Sequence, residues 1–389
     1  MDCMPEISST QAAGFVRELE AIRARVAPGN GEADLRHIRR ISWVGRGLSA
    51  VGYGLCVLGA NPLSILLVGL GRFTRWVLVA HTVLHRAYDT IDGAGPAWHS
   101  RSFARGRRRW WDWFDWIQAD DWQAQHNVDH HRYVGDERDP DRLAENLRWM
   151  KDRPKWFRVT VLLLLAATWK WTYYGPATRR ATLRRASRGA GQEAESASGW
   201  SPSSLLDREM LVRSYLPYAL VHFVVIPCAF LPFGWRCALG ALVNSLLAEV
   251  LVNLHAFAVV APTHTGVDIP IFHGKAKTRD EYFMRQVLGS VNYRSEGPIS
   301  DFLQGYMGYQ IEHHLWPDLP LRQYPRVRRE VEALCAKHGV PYRRHSVWRR
   351  IREMTHAVVG DETATTARLW SREVGAGQPD GRHAISQAG

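Results

Sequence analysis

Apolar residues gather in five stretches, Ile41–Ala60, Pro62–Ala80, Trp156–Gly175, Tyr215–Phe233 and Cys237–Pro262, separated by polar segments. A helix needs roughly 20 residues to cross about 30 Å of hydrocarbon, so each stretch is long enough to span a membrane. Little more than Gly-Ala-Asn-Pro separates the first two, as a tight helical hairpin requires. The second holds Arg72 and Arg75 near its middle, which is costly in lipid unless they face protein or reach the interface. Residues 12–27 have the periodicity of a surface helix. The small, polar run from Gly189 to Ser204 reads as a flexible loop, and the chain after about Asp361 reads as disordered.

Composition refines this picture. A mean hydropathy of -0.27 is too low for a chain mostly immersed in lipid. The 17 tryptophans suit membrane interfaces, so the pattern is a few spans with large polar lobes and tails. The net charge of +12 is carried mainly by arginines beside apolar segments, in FARGRRRWW, TRRATLRRASR and HSVWRRIRE, where anionic headgroups attract them. No nucleic-acid-binding pattern accompanies the charge, so no nucleic-acid partner is expected. Cys3, Cys56, Cys228, Cys237 and Cys335 form no framework spacing and read as buried or free thiols. The N-terminus lacks the succession of a cleaved signal peptide.

The histidines carry the candidate chemistry. His81 and His85 close the second stretch in HTVLH, His126, His130 and His131 form HNVDHH, His264 follows the last stretch, and His313 and His314 lie in QIEHH behind Gln310. Residues four apart share a helical face, so two imidazoles there can reach one metal or adjacent metals. Neutral imidazole suits iron, zinc, copper and nickel. Eight histidines exceed the three or four protein ligands of a tetrahedral zinc and suit two ions. The remaining histidines at 37, 99, 222, 273, 338, 345, 356 and 383 read as ordinary polar anchors.

A shared site fixes the topology. His81–His131 and His264–His314 must lie on one side of the membrane, so an even number of crossings separates them. Three candidate stretches lie between. Trp156–Gly175, with Lys170 in TWKWTYYG and arginine-rich flanks, reads as an interfacial helix in the headgroups. Four spans in two hairpins remain, with both termini and all histidine clusters in the cytoplasm.

In its three histidine boxes, HTVLH, HNVDHH and QIEHH, the sequence resembles the membrane fatty acid desaturase family over about residues 40 to 325. The glutamine-first third box resembles the acyl-lipid and front-end branch. The resemblance implies an all-α membrane protein of four transmembrane helices in two hairpins, interfacial helices and a cytosolic helical cap carrying the boxes. It implies a di-iron centre that uses O2 and two electrons to remove two hydrogens from a fatty acyl chain. By position, His81, His85, His126, His130, His131, His313 and His314 match family ligands, and His264 matches the isolated histidine after the fourth helix. His255, in mid-span, is a weaker candidate for a ligand or a hydrogen-bonding support. No His-Pro-Gly-Gly haem signature is present, so the electrons are expected from a separate donor such as a ferredoxin or a flavoprotein reductase. The expected organisation is an N-terminal cytosolic helical segment (1–40), the membrane desaturase domain (41–325), a C-terminal cytosolic helix (326–360) and a disordered tail (361–389).

Asp89, Asp129, Asp139, Asp141 and Glu312 stand near the boxes and are available to accept ligand N–H groups. Arg105, Arg107 and Arg108 are placed to anchor the cap to lipid or to hold an anionic headgroup. Two rival readings remain: a related di-iron hydroxylase or ketolase acting on a sterol, carotenoid or alkane, and a metal transporter. Transport favours ionisable residues along the spans, whereas these histidines gather at one face.

Overall fold

The computed structural model describes residues 9–26, 31–189 and 207–360. It is 73% helical. The main helices are α1 (Ser9–Val26), α2 (Glu32–Leu58), α3 (Pro62–Leu84), α4 (119–133), α5 (155–189), α6 (Arg208–Phe233), α7 (Trp235–Thr263), α8 (Arg279–Leu288), α9 (Gln310–Leu315), α10 (Tyr324–Lys337) and α11 (Val347–Val359). One short parallel pairing joins Asn292–Tyr293 to Arg344–His345. The polar run 190–204 and the tail from 361, with Cys3 and His383, lie outside the described residues. Cys56, Cys228, Cys237 and Cys335 are free thiols.

Among the described residues, α2, α3, α6 and α7 are the four helices long and apolar enough to cross a membrane. α2 begins at Glu32, ahead of the apolar stretch, because Leu35, Ile38 and Ile41 continue one buried face while Asp34 accepts the Gly31 N–H at 3.1 Å. Residue 40, the expected segment boundary, therefore falls inside a helix. α3 starts where expected: Asn61 caps the Ser64 N–H and Pro62 occupies the first turn. α2 and α3 touch through glycines, and a methyl group at Gly52 would sit 2.8 Å from Val68 Cγ2. Only 11% of the apolar window of α6 is buried, which leaves Leu216, Leu220 and Val225 as an outward apolar surface.

A buried ionic cluster ties these helices together. Glu249, at the centre of α7, accepts from Arg72 at 2.8 Å, Trp116 Nε1 at 2.8 Å and Tyr218 OH at 2.8 Å. Lys170 donates to Asp115 at 3.0 Å and lies 3.5 Å from Glu249. Arg72 also donates to Tyr53 OH at 2.7 Å and contacts His222. Arg72 faces protein as expected, with Glu249 as its carboxylate partner, and two sequence expectations change here. Lys170, expected among headgroups, is fully buried because α5 turns it inward onto that carboxylate. His222 joins the cluster instead of anchoring at an interface.

The polar lobe is built on amphipathic helices. Ala12, Phe15, Val16, Leu19 and Ile22 of α1 are buried, on the side that meets α10. Lys337–Glu18 and Arg25–Glu330 ion pairs fringe this contact.

Candidate metal centre

Four pieces of chain converge on one point beyond the ends of α3 and α7. α3 widens to π geometry over Thr74–Ala80 just before His81, and α4 does so over Gln123–His130. In that wider turn His130 and His131 flank His126 almost symmetrically, with ring centroids 5.1 and 4.9 Å away. α9 delivers His313 and His314. The turn entering it packs under α3: Gly305 has φ 62° and a side chain there would sit 2.7 Å from Val77 Cγ1.

Seven of the histidines form two groups, His81, His85, His126 and His313, and His130, His264 and His314, with ligand atoms within 4.8 Å of one another in each. His131 stands between the groups, its ring 4.6 Å from His85, 4.8 Å from His313 and 4.3 Å from His314. Inside the groups Nε2 faces Nε2: His81 to His313 at 3.1 Å, His126 to His81 at 3.2 Å and His314 to His264 at 3.0 Å. Gln310 Nε2 lies 2.8 Å from His264 Nε2.

Six of the eight Nδ1 atoms are engaged from outside. His81 donates to the Val77 carbonyl at 3.2 Å, His264 to the Gly289 carbonyl at 3.0 Å, His130 to Asp139 at 2.8 Å and His314 to Gln286 Oε1 at 3.1 Å. His313 Nδ1 meets Tyr324 OH at 3.1 Å, and His126 Nδ1 meets Tyr174 OH at 3.4 Å. Such outer contacts fix the tautomer, leaving a lone pair on Nε2 directed inward. Burial, reinforced by neighbouring imidazoles, holds His85, His126, His131, His313 and His314 well below the usual histidine range. Burial likewise lowers His264 to about 3. His130 is the exception: burial opposes its charge, but Asp139 and Asp141 outweigh it and raise its pKa to about 9. Neutral lone pairs facing each other at these distances repel. The buried, partnerless atoms His85 Nε2 and both nitrogens of His131 add to that deficit. The donor set therefore fits cations bound at its centre.

Of the five acids expected to support the site, Asp139 and Asp141 do touch a histidine, Asp141 lying 3.5 Å from His130 Nδ1. Asp89 instead caps Ser100, and Asp129 faces Arg184 and Arg185 at 3.5 Å. Glu312, raised to about 7 by burial, points away from the imidazoles and accepts from Tyr342 OH at 2.7 Å and Asn292 at 2.9 Å. His255 stacks on Phe73 at 4.0 Å, donates to the Leu303 carbonyl at 2.7 Å and joins neither group. Arg105 pairs with Asp120, Arg108 with Asp112, and Arg107 is exposed. Gln286, Tyr324 and Tyr174 were not foreseen; each reads locally as an ordinary helix residue, and only the folded chain brings it to a histidine.

The turn bearing His264 is clamped by Arg350 of α11. This fully buried guanidinium donates to the Pro262 carbonyl at 3.0 Å, the Thr265 carbonyl at 3.0 Å and Asp268 at 2.6 Å. A side chain at Gly266 would strike it.

Comparison with known proteins places this geometry. A family model described as Fatty acid desaturase matches residues 58–346. The NADPH-dependent stearoyl-CoA 9-desaturase of Mycobacterium tuberculosis is 24% identical over 356 residues, covering 88% of this chain and 78% of that protein. The chloroplastic acyl-lipid (7-3)-desaturase of Chlamydomonas reinhardtii is 26% identical over 311 residues, 76% of this chain and 55% of that protein. Fatty acid desaturase 3 of Bos taurus is 52% identical over a shorter segment of 103 residues, 26% of this chain and 22% of that protein. With four apolar helices, a histidine-lined centre and a match over most of its length, the chain belongs to the fatty acid desaturase family, membrane oxidoreductases that introduce double bonds into fatty acids.

Proposed function

We propose that the chain desaturates a fatty acyl substrate in an O2-dependent reaction, with His81, His85, His126, His130, His131, His264, His313 and His314 holding two iron ions. The observation that carries this reading is the inward convergence of Nε2 lone pairs while six of the Nδ1 atoms are engaged from outside. Seven imidazoles in two groups, with His131 between them, are too many for one four-coordinate ion and support two. When bound, the irons supply the oxidation that an unactivated methylene requires and acid–base chemistry cannot provide. In the net conversion O2 takes up two hydrogens from the acyl chain together with two electrons from the donor and two protons, giving two waters and the double bond.

The chain's own residues orient and shield. Asp139 fixes the His130 tautomer and makes its Nε2 a strong donor. Tyr324 and Gln286 hold the two rings of α9. Trp122 stacks on His126 at 4.4 Å and sets its edge against His81 and His85, keeping water from that side. In the bilayer, α2 with α3 and α6 with α7 form two hairpins, and the arginine-rich flanks put the histidine end and both termini in the cytoplasm. A cytosolic helical cap then carries the boxes. The relatives act on stearoyl-CoA and on acyl-lipids by their names; the glutamine-first box favours an acyl-lipid here. A separate ferredoxin or flavoprotein reductase delivers the electrons.

The test pairs metal analysis with product analysis. Purified protein should hold about two irons per chain, and with an electron donor its acyl products should be lighter by two hydrogens. Zinc alone, or products heavier by one oxygen, would overturn the reading.

A further inference from the structure

A second charged feature lies on the flank of α2 and α3, away from the histidines. A cavity of about 280 Å³ is lined by Arg46, Arg75, Arg108, Asp112, Trp43 and Trp111, among others. Arg108 grips Asp112 through both carboxylate oxygens at 2.8 and 2.9 Å, and the same carboxylate accepts the Ala104 N–H at 3.1 Å. Arg46 and Arg75 both donate to one oxygen, the Trp111 carbonyl, at 2.7 and 3.2 Å. Arg75 further donates to the Ser42 hydroxyl at 2.8 Å. Among the described residues no carboxylate forms an ion pair with either. Three guanidinium groups thus line a cavity with one carboxylate, and that carboxylate is taken. Two cations converging on one neutral oxygen repel each other, and an anion between them reverses the sign of that interaction.

The surroundings identify the source of the anion. Trp43 and Trp111 are 70% and 69% exposed beside the cavity, and the outward face of α2 continues through Val44 and Val51. Exposed tryptophans bordering an apolar face mark the level of lipid headgroups. We propose that this cavity binds the phosphate of a membrane phospholipid, with Arg46 and Arg75 as its principal ligands and Arg108, held by Asp112, as the third wall. The site is independent of the metal assignment.

Native mass spectrometry of the delipidated full-length protein, titrated with dioleoylphosphatidylglycerol, tests this. Parallel titrations use dioleoylglycerol, which has the same tails without phosphate, and coenzyme A, a soluble phosphate ester. The wild type should retain the phospholipid and neither control. The Arg46→Gln/Arg75→Gln variant should bind it about 30-fold more weakly, given what two juxtamembrane arginines contribute. Arg107→Gln, which removes an exposed charge nearby, should leave retention unchanged. If the double variant does not fold, Arg46→Gln alone should weaken retention about 5-fold. Equal retention of dioleoylglycerol, coenzyme A bound in place of the lipid, or unchanged retention in the arginine variants would overturn the proposal. Because the readout is lipid mass, it stands or falls separately from iron content.

Discussion

Two buried polar regions share the interior, and they are balanced in opposite ways. Around Glu249, two cations meet two carboxylates, Arg72 and Lys170 against Glu249 and Asp115, with Trp116, Tyr218 and Tyr53 completing the contacts. That cluster neutralises itself, with Arg72 Nε and Asp115 Oδ1 as its unmatched atoms. The histidine groups bring acceptor to acceptor, and their balance must come from outside the chain. One region therefore serves the architecture, and the other is built to be completed by a ligand.

Breaking each region should give a different failure. The largest effect is expected for His314→Ala, which removes a ring touching His264, His130 and His131. Desaturation should fall by more than the roughly 100-fold that outer contacts cost, and iron should drop to about one per chain or fewer, read by metal analysis. Glu249→Gln should instead destabilise the fold by about 3–5 kcal/mol, because it strands buried cations. Thermal unfolding checks this, and chelating the metal should still lower the midpoint of the variant, as it does for any protein whose folded state binds the ion. Asp139→Asn leaves the His130 ring in place but weakens its acceptor, so iron affinity should fall about 10- to 100-fold, read by metal titration. The smallest effect is expected for Asp129→Asn. Its pairs with Arg184 and Arg185 are long, so stability should change by no more than about 1 kcal/mol and iron content not at all. A loss of iron there would blur the distinction between acids that touch the rings and acids that merely stand near them.

Much of this contrast could be read before any fold was known, though unevenly. HTVLH and HNVDHH are local patterns, and the apolar runs give α2, α3, α6 and α7 to within a few turns. The inward turn of Lys170 was not legible, because its flanking arginines and tryptophans look the same on an interfacial helix and on a buried one. Glu249 sits in a run otherwise apolar, and its partners come from residues 72, 116, 170 and 218. Gln286 and Tyr324 likewise owe their roles to contacts across 28 and 11 residues. Of the nearby acids, only Asp139 and Asp141 meet a ring; the chain turns back between Tyr133 and Asp139, and proximity in sequence does not reveal that reversal.

The family-model match ends at residue 346, immediately before α11. Arg350 nevertheless braces the turn that presents His264. Replacing the C-terminal helix would thus adjust the histidine group that holds His264 while leaving all eight imidazoles in the sequence. A change at the C-terminal helix would reach the His264 side of the proposed metal site without touching the boxes.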